Sequence, residues 1–209
     1  PEGRSLGGVW HDFDQDGWID LLITNERDSK ILLRNKGDGT FEDITGSRRP
    51  PSGIPFLNPG YAQGACIADY DNDGDMDVYL PLADQANRLL MSRLKEKGAL
   101  TYEDVTRKSG AGDMRGARGC AVADFDNDGH VDLYVNNGGP SNTLINDVIT
   151  DFPPFVQFYI AWEPAENALL RNNGDGTFVD VTRGSGAEGL GIGSGVGAGS
   201  SDGISVSAG

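Results

Sequence analysis

The chain has 209 residues, with 32 acidic against 17 basic side chains, so its net charge is −15 and its isoelectric point is near 4.3. This balance argues against nucleic acids and anionic membranes as partners, because both need clustered Lys and Arg. No apolar run approaches the roughly 20 residues of a membrane span. The 31 glycines are about twice the ordinary share. Because the sequence opens at Pro1 without a signal-like segment, we expect a processed product or an excised piece of an extracellular β protein.

Three similar segments follow one another along the chain. The first is GVWHDFDQDGWIDLLITN at 8–25, followed by SKILLRNKGDGTFEDIT at 29–45. The second is GACIADYDNDGDMDVYLPL at 64–82, with a looser second half. The third is GCAVADFDNDGHVDLYVNN at 119–137, followed by ENALLRNNGDGTFVDVT at 166–182. Such self-similarity is typical of a repeat protein with a unit of about 55–60 residues.

Each repeat reads as four short strands. After each acidic segment the apolar residues alternate, as Ile19, Leu21 and Ile23 do in the first repeat, which predicts a strand with one buried face. A second apolar run, a Gly-Asp-Gly turn and a final short strand follow in the first and third repeats. The sequence therefore predicts an all-β fold of four-stranded antiparallel β-propeller-type blades, with unrelated hairpins in a sandwich as the alternative. The repeats span about 5–46, 60–107 and 115–183, within 1–183.

Two segments depart from the repeat. Residues 139–163 are inserted in the third repeat and hold five aromatic side chains. The Gly-rich tail, 184–209, alternates glycine with other residues like a strand with one bare face. We interpret the tail as a possible degenerate fourth repeat, so the chain would form a partial or an assembled propeller.

The motif D-x-D-x-D-G-x-x-D occurs once in each repeat. We number its residues 1 to 9 and refer to acidic loops 1, 2 and 3, at 12–20, 69–77 and 124–132. Positions 1, 3, 5 and 9 carry carboxylates that converge in a tight loop, and position 7 is expected to offer its backbone carbonyl because its side chain varies. The predicted ligands are Asp12, Asp14, Asp16, Trp18 and Asp20; Asp69, Asp71, Asp73, Asp75 and Asp77; and Asp124, Asp126, Asp128, His130 and Asp132.

Calcium fits these loops better than other metals. Two charges ~4 Å apart repel by roughly 4 kcal/mol at an effective dielectric of 20, so four carboxylates need a cation. Hard oxygen ligands in a flexible loop suit Ca²⁺, whereas Mg²⁺ demands an octahedron and keeps its waters. An EF-hand is rejected because its bidentate Glu would stand at position 12, where this chain has Ile23, Leu80 or Val135. We expect about three Ca²⁺ ions.

The loops, together with the L-x-R-N-x-G-D-G-T-F-x-D-V-T block, resemble the FG-GAP/VCBS repeats of integrin α-subunit propellers. They are most similar to the cartilage acidic protein group and its bacterial relatives, over about residues 5–182. The resemblance implies calcium bound in a hairpin loop between the first two strands of each blade, in secreted or cell-surface proteins. Propellers of this family close with about seven blades, and this chain supplies three and a fraction.

The remaining candidate residues carry weaker signals. His11 and His130 each stand beside an acidic loop, and no nucleophile motif accompanies them, so no catalytic residue is predicted. Cys66 and Cys120 occupy non-equivalent positions in adjacent repeats, which favours two small buried thiols over a disulfide.

The sequence predicts a non-enzymatic, extracellular structural or adhesion module in which calcium rigidifies the loops. Two alternatives stay open: a glycan- or protein-binding module that uses the aromatic insert, and an accessory domain of a larger secreted enzyme. Expected partners are proteins, or further copies of the chain, that contact blade edges, the insert 139–163 or the tail 184–209, with glycans as a further possibility. No nucleic-acid partner and no membrane insertion are expected.

Overall fold

A computed structural model describes residues 5–26, 30–45, 60–138 and 165–189. In these ranges the chain forms twelve strands and two helices of four residues each. Neither helix has the length to cross a bilayer. The strands are β1 (Ser5–His11), β2 (Asp20–Asn25), β3 (Ile31–Asn35), β4 (Phe41–Asp43), β5 (Cys66–Ala68), β6 (Asp77–Leu80), β7 (Arg88–Ser92), β8 (Tyr102–Asp104), β9 (Ala117–Ala123), β10 (Asp132–Asn137), β11 (Ala168–Asn172) and β12 (Phe178–Asp180).

The strands form three antiparallel sheets of four, in which each strand pairs with its neighbours along the chain. We call the sheets blade 1 (β1–β4), blade 2 (β5–β8) and blade 3 (β9–β12). Helix α1 (Leu94–Lys97) connects β7 to β8, where the other blades have a Gly-Asp-Gly turn, and α2 (Thr106–Ser109) follows β8. This architecture confirms the prediction of an all-β fold built from four-stranded blades.

The register places the acidic loops identically in all three blades. In blade 1 the last residue of β1, His11, pairs with the first residue of β2, Asp20. The same pairing joins β5 to β6 and β9 to β10, again with the position-9 aspartate opposite the end of the preceding strand. Each acidic loop is therefore the hairpin connection between the first two strands of its blade.

Blade 2 packs against blade 1 on one face and against blade 3 on the other. Val78 and Leu80 share a buried cluster with Leu22 of blade 1, whereas Tyr79, between them, shares one with Leu133 of blade 3. All of β6 is consequently buried. The prediction of one buried face is wrong for this strand, because a blade that lies between two others is covered on both faces. In β2 the predicted face is the wrong one: Leu21 and Ile23 are only half-buried, whereas Leu22, between them, is completely buried.

A disulfide joins Cys66 of blade 2 to Cys120 of blade 3, with the two Cα atoms 6.1 Å apart. The prediction of two unpaired thiols is therefore wrong. Cys66 lies opposite Tyr79, which faces blade 3, and Cys120 lies opposite Val135, which faces blade 2. Successive residues of a strand point to opposite faces, so the non-equivalent positions turn the two cysteines towards each other.

Some predicted segments fall outside the described residues. These are the aromatic insert, 139–163, and the tail from residue 190 onwards. The described start of the tail, residues 184–189, follows β12 as turns and irregular chain. The interpretation of the tail as a degenerate fourth repeat stays a prediction.

Candidate metal sites

All three acidic loops share one backbone conformation. Position 4 has a positive φ of 57° at Gln15 and 59° at both Asn72 and Asn127. Position 6 has a positive φ as well, near 90° in each loop, and is always glycine, the residue that adopts such a φ without steric cost. The glycine at position 6 predicted this turn, and Asn72 and Asn127 at position 4 are a weaker signal for a positive φ, because Asn adopts it more readily than most residues.

The position-1 carboxylate organises the turn. In every loop its two oxygens accept hydrogen bonds from the backbone N–H groups of positions 5 and 6, at 2.9–3.1 Å. In loop 2, for example, Asp69 accepts from Asp73 and Gly74. This side chain thereby folds the loop around itself and holds its carboxylate at the loop's centre.

The position-9 aspartate connects the loop to the third strand. One oxygen of Asp77 accepts from the N–H of Tyr70 at position 2, and the other accepts from the N–H of Ser92 in β7, both at 2.8 Å. Asp20 and Asp132 make the equivalent pair of bonds, to Phe13 and Asn35 and to Phe125 and Asn172. All three aspartates are at most 2% exposed. The sequence predicted a ligand at position 9 but not this structural role.

Three of the four predicted carboxylates converge in each loop. Positions 1, 3 and 9 offer oxygens that lie within 4.8 Å of one another; the groups are Asp12, Asp14 and Asp20; Asp69, Asp71 and Asp77; and Asp124, Asp126 and Asp132. The position-5 carboxylate instead accepts from the N–H of position 7, at 2.8–2.9 Å in the three loops. The role of position 5 as a ligand stays a prediction, as does that of the carbonyls of Trp18, Asp75 and His130.

Burial makes the charge of these carboxylates unfavourable in the absence of a cation. In loop 2, burial raises the pKa of Asp77 to about 8, and the charges of Asp71 and Asp73 add to the effect, against the two N–H groups that favour the ionised form. Burial also raises the pKa of Asp73, to about 6. In loop 1, burial is again the first cause of the raised pKa values of Asp14 and Asp20. A bound divalent cation would reverse this penalty.

The donor set of loop 2 fits a hard cation. Three buried carboxylate oxygens there have no hydrogen-bond partner: Asp71 Oδ1, Asp73 Oδ2 and Asp75 Oδ1. A buried anionic oxygen without a partner is costly unless a positive charge approaches it. Since every converging group is a carboxylate, the loop suits a hard metal such as Ca²⁺.

The side chain at position 7 packs against the connection between the third and fourth strands. A Cβ added to Gly37 in the turn of blade 1 would lie 2.6 Å from the Trp18 ring, and one on Gly174 in blade 3 would lie 2.5 Å from the His130 ring. In blade 2, α1 replaces that turn, and the buried Asp75 accepts a hydrogen bond from the N–H of Lys95 at 3.0 Å. The side chain at position 7 therefore differs between loop 2 and the other two loops along with the connection that it contacts, which is a Gly-Asp-Gly turn in blades 1 and 3 and α1 in blade 2.

Adjacent loops also contact one another. Gln15 Nε2 of loop 1 donates to the carbonyl of Gly74 in loop 2 at 3.0 Å. Asn72 Nδ2 of loop 2 lies 2.9 Å from Nδ1 of His130 in loop 3. The residue at position 4 thus links each loop to the next one, and the three acidic loops line one edge of the stacked blades.

Part of this pattern of loops and strands matches the sequence model of a known repeat family. Residues 12–80, from the first aspartate of loop 1 to the end of β6, match the model of the FG-GAP-like repeat. This part of the chain is therefore similar to an FG-GAP-like repeat. The match covers loops 1 and 2, and blade 3 repeats their geometry in loop 3.

Three curated proteins that are similar to this chain share one name. Cartilage acidic protein 1 of Xenopus tropicalis is 30% identical over 125 residues, which are 58% of this chain and 18% of the relative. The Homo sapiens protein of that name is 27% identical over 118 residues, and the Mus musculus protein is 26% identical over 145 residues. These alignments cover 56% and 66% of this chain. The chain spans about a fifth of the length of the relatives it matches.

Proposed function

We propose that this chain is a calcium-binding extracellular structural or adhesion module, in which each acidic loop holds one Ca²⁺ ion. The observation that carries the proposal is the triple recurrence of one geometry, with carboxylates at positions 1, 3 and 9 brought within 4.8 Å of one another in every blade. A single acidic cluster is common on protein surfaces. Three clusters at the same register position of three blades are a built feature of the fold.

The calcium role is mechanical. The side chains at positions 1, 3, 5 and 9 and the carbonyl at position 7 would supply the oxygen ligands that Ca²⁺ prefers. Position 9 already joins the loop to the third strand, so an ion held there ties three parts of one blade together. The contacts from Gln15 and Asn72 extend this support from one blade to the next.

An extracellular location is consistent with two features of the chain. The Cys66–Cys120 bond joins blades 2 and 3, and disulfides persist mainly in oxidising compartments. Extracellular calcium modules typically bind Ca²⁺ at ~10⁻⁴–10⁻³ M, and we expect the exposed loop 3 to bind in this range. The module we propose has no catalytic activity, and its binding partner would be another protein surface.

Thermal unfolding tests the calcium proposal. We expect the melting temperature to rise by more than ~5 °C between EDTA and excess Ca²⁺, because ligand that binds only the folded state stabilises it. Mg²⁺ should restore little of this shift. Asp14→Asn, which alters a converging carboxylate, should lose part of the shift, whereas Glu42→Gln, an exposed carboxylate paired with Arg34, should keep all of it. Identical melting curves in EDTA and Ca²⁺ would refute calcium binding.

A further inference from the structure

Blade 2 holds a second group of acidic side chains, beside the three converging carboxylates of loop 2. Asp73 and Asp75, at positions 5 and 7, and Glu96 of α1 each offer one carboxylate oxygen, and these oxygens lie within 4.8 Å of one another. We call these three residues the α1 cluster. The cluster shares no residue with the group at positions 1, 3 and 9 of the same loop. Carboxylates therefore crowd at two separate places in this blade.

Two oxygens of the α1 cluster are buried without a hydrogen-bond partner. Asp75 is completely buried; its Oδ2 accepts from the N–H of Lys95 at 3.0 Å, whereas its Oδ1 has no partner. In Asp73, Oδ1 accepts from the N–H of Asp75 at 2.9 Å, whereas Oδ2 has no partner. A buried anionic oxygen without a partner is costly unless a positive charge approaches it. A single cation bound by both oxygens would remove this cost.

The basic side chains near the α1 cluster do not supply that charge. Arg93 Nη1 lies 3.2 Å from Glu96 Oε1 and 3.3 Å from Asp71 Oδ2, and its Nη2 lies 3.1 Å from Glu103 Oε2. Its guanidinium is thus divided among three carboxylates, and in the described part of the chain its ion pairs include neither position 5 nor position 7 of loop 2. The side chain of Lys95 is exposed and lies over the glycine of the loop.

The α1 cluster combines the two features that distinguish blade 2 from its neighbours. Position 7 is Trp18 in loop 1 and His130 in loop 3, so only loop 2 has a carboxylate there. Blades 1 and 3 have a Gly-Asp-Gly turn between their third and fourth strands, where blade 2 has α1. Among the described residues, the acidic position 7 and the acidic helix therefore occur together, and in one blade alone.

We propose that the α1 cluster is a second Ca²⁺ site of blade 2, filled in addition to the ion of loop 2. The free oxygens of Asp73 and Asp75 and the carboxylate of Glu96 would be its protein ligands, and water would complete the roughly six to eight oxygens that Ca²⁺ takes. Such an ion ties α1 to the acidic loop, in the place where a turn packs on the loop in the other blades. The inference rests on the proposed function for the ion of loop 2.

The second site should bind Ca²⁺ more weakly than the acidic loops do. Affinity for Ca²⁺ depends on the number and the rigidity of charged ligands, and the α1 cluster offers three carboxylates. The Glu96 side chain is 49% exposed, and the guanidinium of Arg93 competes with an ion for it. We expect the loops to fill first.

Two matched variants test the site without altering an acidic loop. Glu96→Gln removes one carboxylate of the α1 cluster. Glu103→Gln is the control, because Glu103 also pairs with Arg93 and its side chain is 45% exposed, but it does not belong to the cluster. Each variant removes one negative charge and one partner of Arg93 from the surface of blade 2. A difference between the two variants therefore reports the cluster and not the local charge.

Backbone amide NMR shifts in a Ca²⁺ titration follow the two kinds of site separately. The N–H groups of Gly17, Gly74 and Gly129, at position 6, donate to the position-1 carboxylates and report the acidic loops. The N–H of Lys95 donates to Asp75 and reports the α1 cluster.

We expect the Lys95 amide of wild type to shift in a late phase, which is half complete at a Ca²⁺ concentration at least ~10-fold higher than the phase of the loop glycines. Glu103→Gln should show the same late phase. Glu96→Gln should lose it and keep the phase of the loop glycines, because the acidic loops are unchanged.

Three results would overturn the inference. In the first, the Lys95 amide of wild type shows no late phase, and a proton shared by Asp73 and Asp75 then satisfies their free oxygens. In the second, Glu96→Gln retains the late phase; in the third, Glu103→Gln loses it as well. The glycine amides test the proposed function separately: if they do not respond to Ca²⁺, the loops hold no ion, whereas a failure confined to Lys95 refutes the second site alone.

Discussion

Asp126 and Asp132 lie in the same acidic loop, but their carboxylates are held differently. Asp132 is buried and accepts from the backbone N–H groups of Phe125 and Asn172, whereas the exposed Asp126 accepts one longer bond, from Asp128 at 3.3 Å. The two aspartates therefore separate the structural role of an acidic-loop carboxylate from its role as a ligand.

A change to asparagine at either position should weaken calcium binding, but only Asp132→Asn should destabilise the calcium-free protein. The amide nitrogen that this substitution introduces would face a backbone donor, which leaves a buried group unsatisfied at a cost of about 1–3 kcal/mol. Asp126→Asn should change the free energy of unfolding in EDTA by less than ~0.5 kcal/mol. Urea unfolding in EDTA measures both values, and equal losses would contradict the assigned roles.

Lys30 gives a pH dependence outside the acidic loops. Its side chain is buried next to β3 and donates from Nζ to the Gly60 carbonyl at 2.7 Å. Burial lowers its pKa from 10.5 to about 8; the charge of Asp84 opposes this shift and that of Arg88 adds to it. Between these two pH values the unfolded chain binds the proton and the folded chain does not, so stability rises with pH across that window.

We expect the calcium-saturated protein to be more stable at pH 9.5 than at pH 7.5, by about 1–3 kcal/mol. Lys30→Met removes the titrating group and should abolish the rise. Urea unfolding at the two pH values gives both numbers. If wild type and Lys30→Met changed in stability equally over this interval, the penalty on the buried Lys30 ammonium would be contradicted.

The spacing of the acidic motif predicted that the carboxylates at positions 1, 3 and 9 converge, because a tight loop of nine residues holds these side chains close together. It could not predict what fixes position 9. The donors Asn35 and Ser92 lie 15 residues from their aspartates, and Asn172 lies 40 residues from Asp132. Such partners become visible only when the register of the third strand is known.

The Gly-Asp-Gly turn and the acidic loop of a blade form one packed unit. Gly37 and Gly39 flank the same turn in blade 1, with φ of 75° and 84°. A Cβ on Gly37 would collide with Trp18, whereas a Cβ on Gly39 would meet no atom within 4 Å. The two glycines therefore share a positive φ but differ in their neighbours.

Gly37→Ala should cost more stability than Gly39→Ala, although both place an L-residue at positive φ. We expect about 1 kcal/mol for the backbone term in each variant and at least ~1 kcal/mol more at Gly37 for displacing the Trp18 ring. Denaturant unfolding measures the costs, and Trp fluorescence should change only in Gly37→Ala. Equal costs would mean that the ring contact contributes nothing.

The sequence predicted the four strands of each blade from alternation and turn residues, but not what replaces a turn. In blade 2 we predicted that Asp75, at position 7, contributes only its backbone carbonyl and that its side chain has no role. The structure buries that side chain, because α1 occupies the place of the turn and its Lys95 N–H needs an acceptor. The run RLKEKGAL at 93–100 shows no Gly-Asp-Gly signal, and a four-residue helix is too short to leave a periodic pattern.

Each repeat buries its apolar residues against the neighbouring repeats. The alternation of apolar residues therefore predicted neither the burial of both faces of β6 nor the pairing of the two cysteines. The sequence shows which residues are apolar, but it does not show which blade covers each face. Once blades are known to stack, the one-residue offset between Cys66 and Cys120 favours a disulfide.

Calcium binding in the acidic loops would also change the net charge of the chain. Three bound divalent ions would change the net charge from −15 to about −9, and they would neutralise the places where carboxylates are most crowded. Without ions the crowded loops repel across one edge of the stacked blades. The number of bound ions is therefore the central quantity for this protein.

Native mass spectrometry of the intact chain, titrated with Ca²⁺, counts these ions directly. We expect three ions at saturation of the acidic loops, with two for Asp14→Asn and three for the Glu42→Gln control. Saturation of the wild-type chain with fewer than three ions would contradict the claim that every acidic loop is a calcium site.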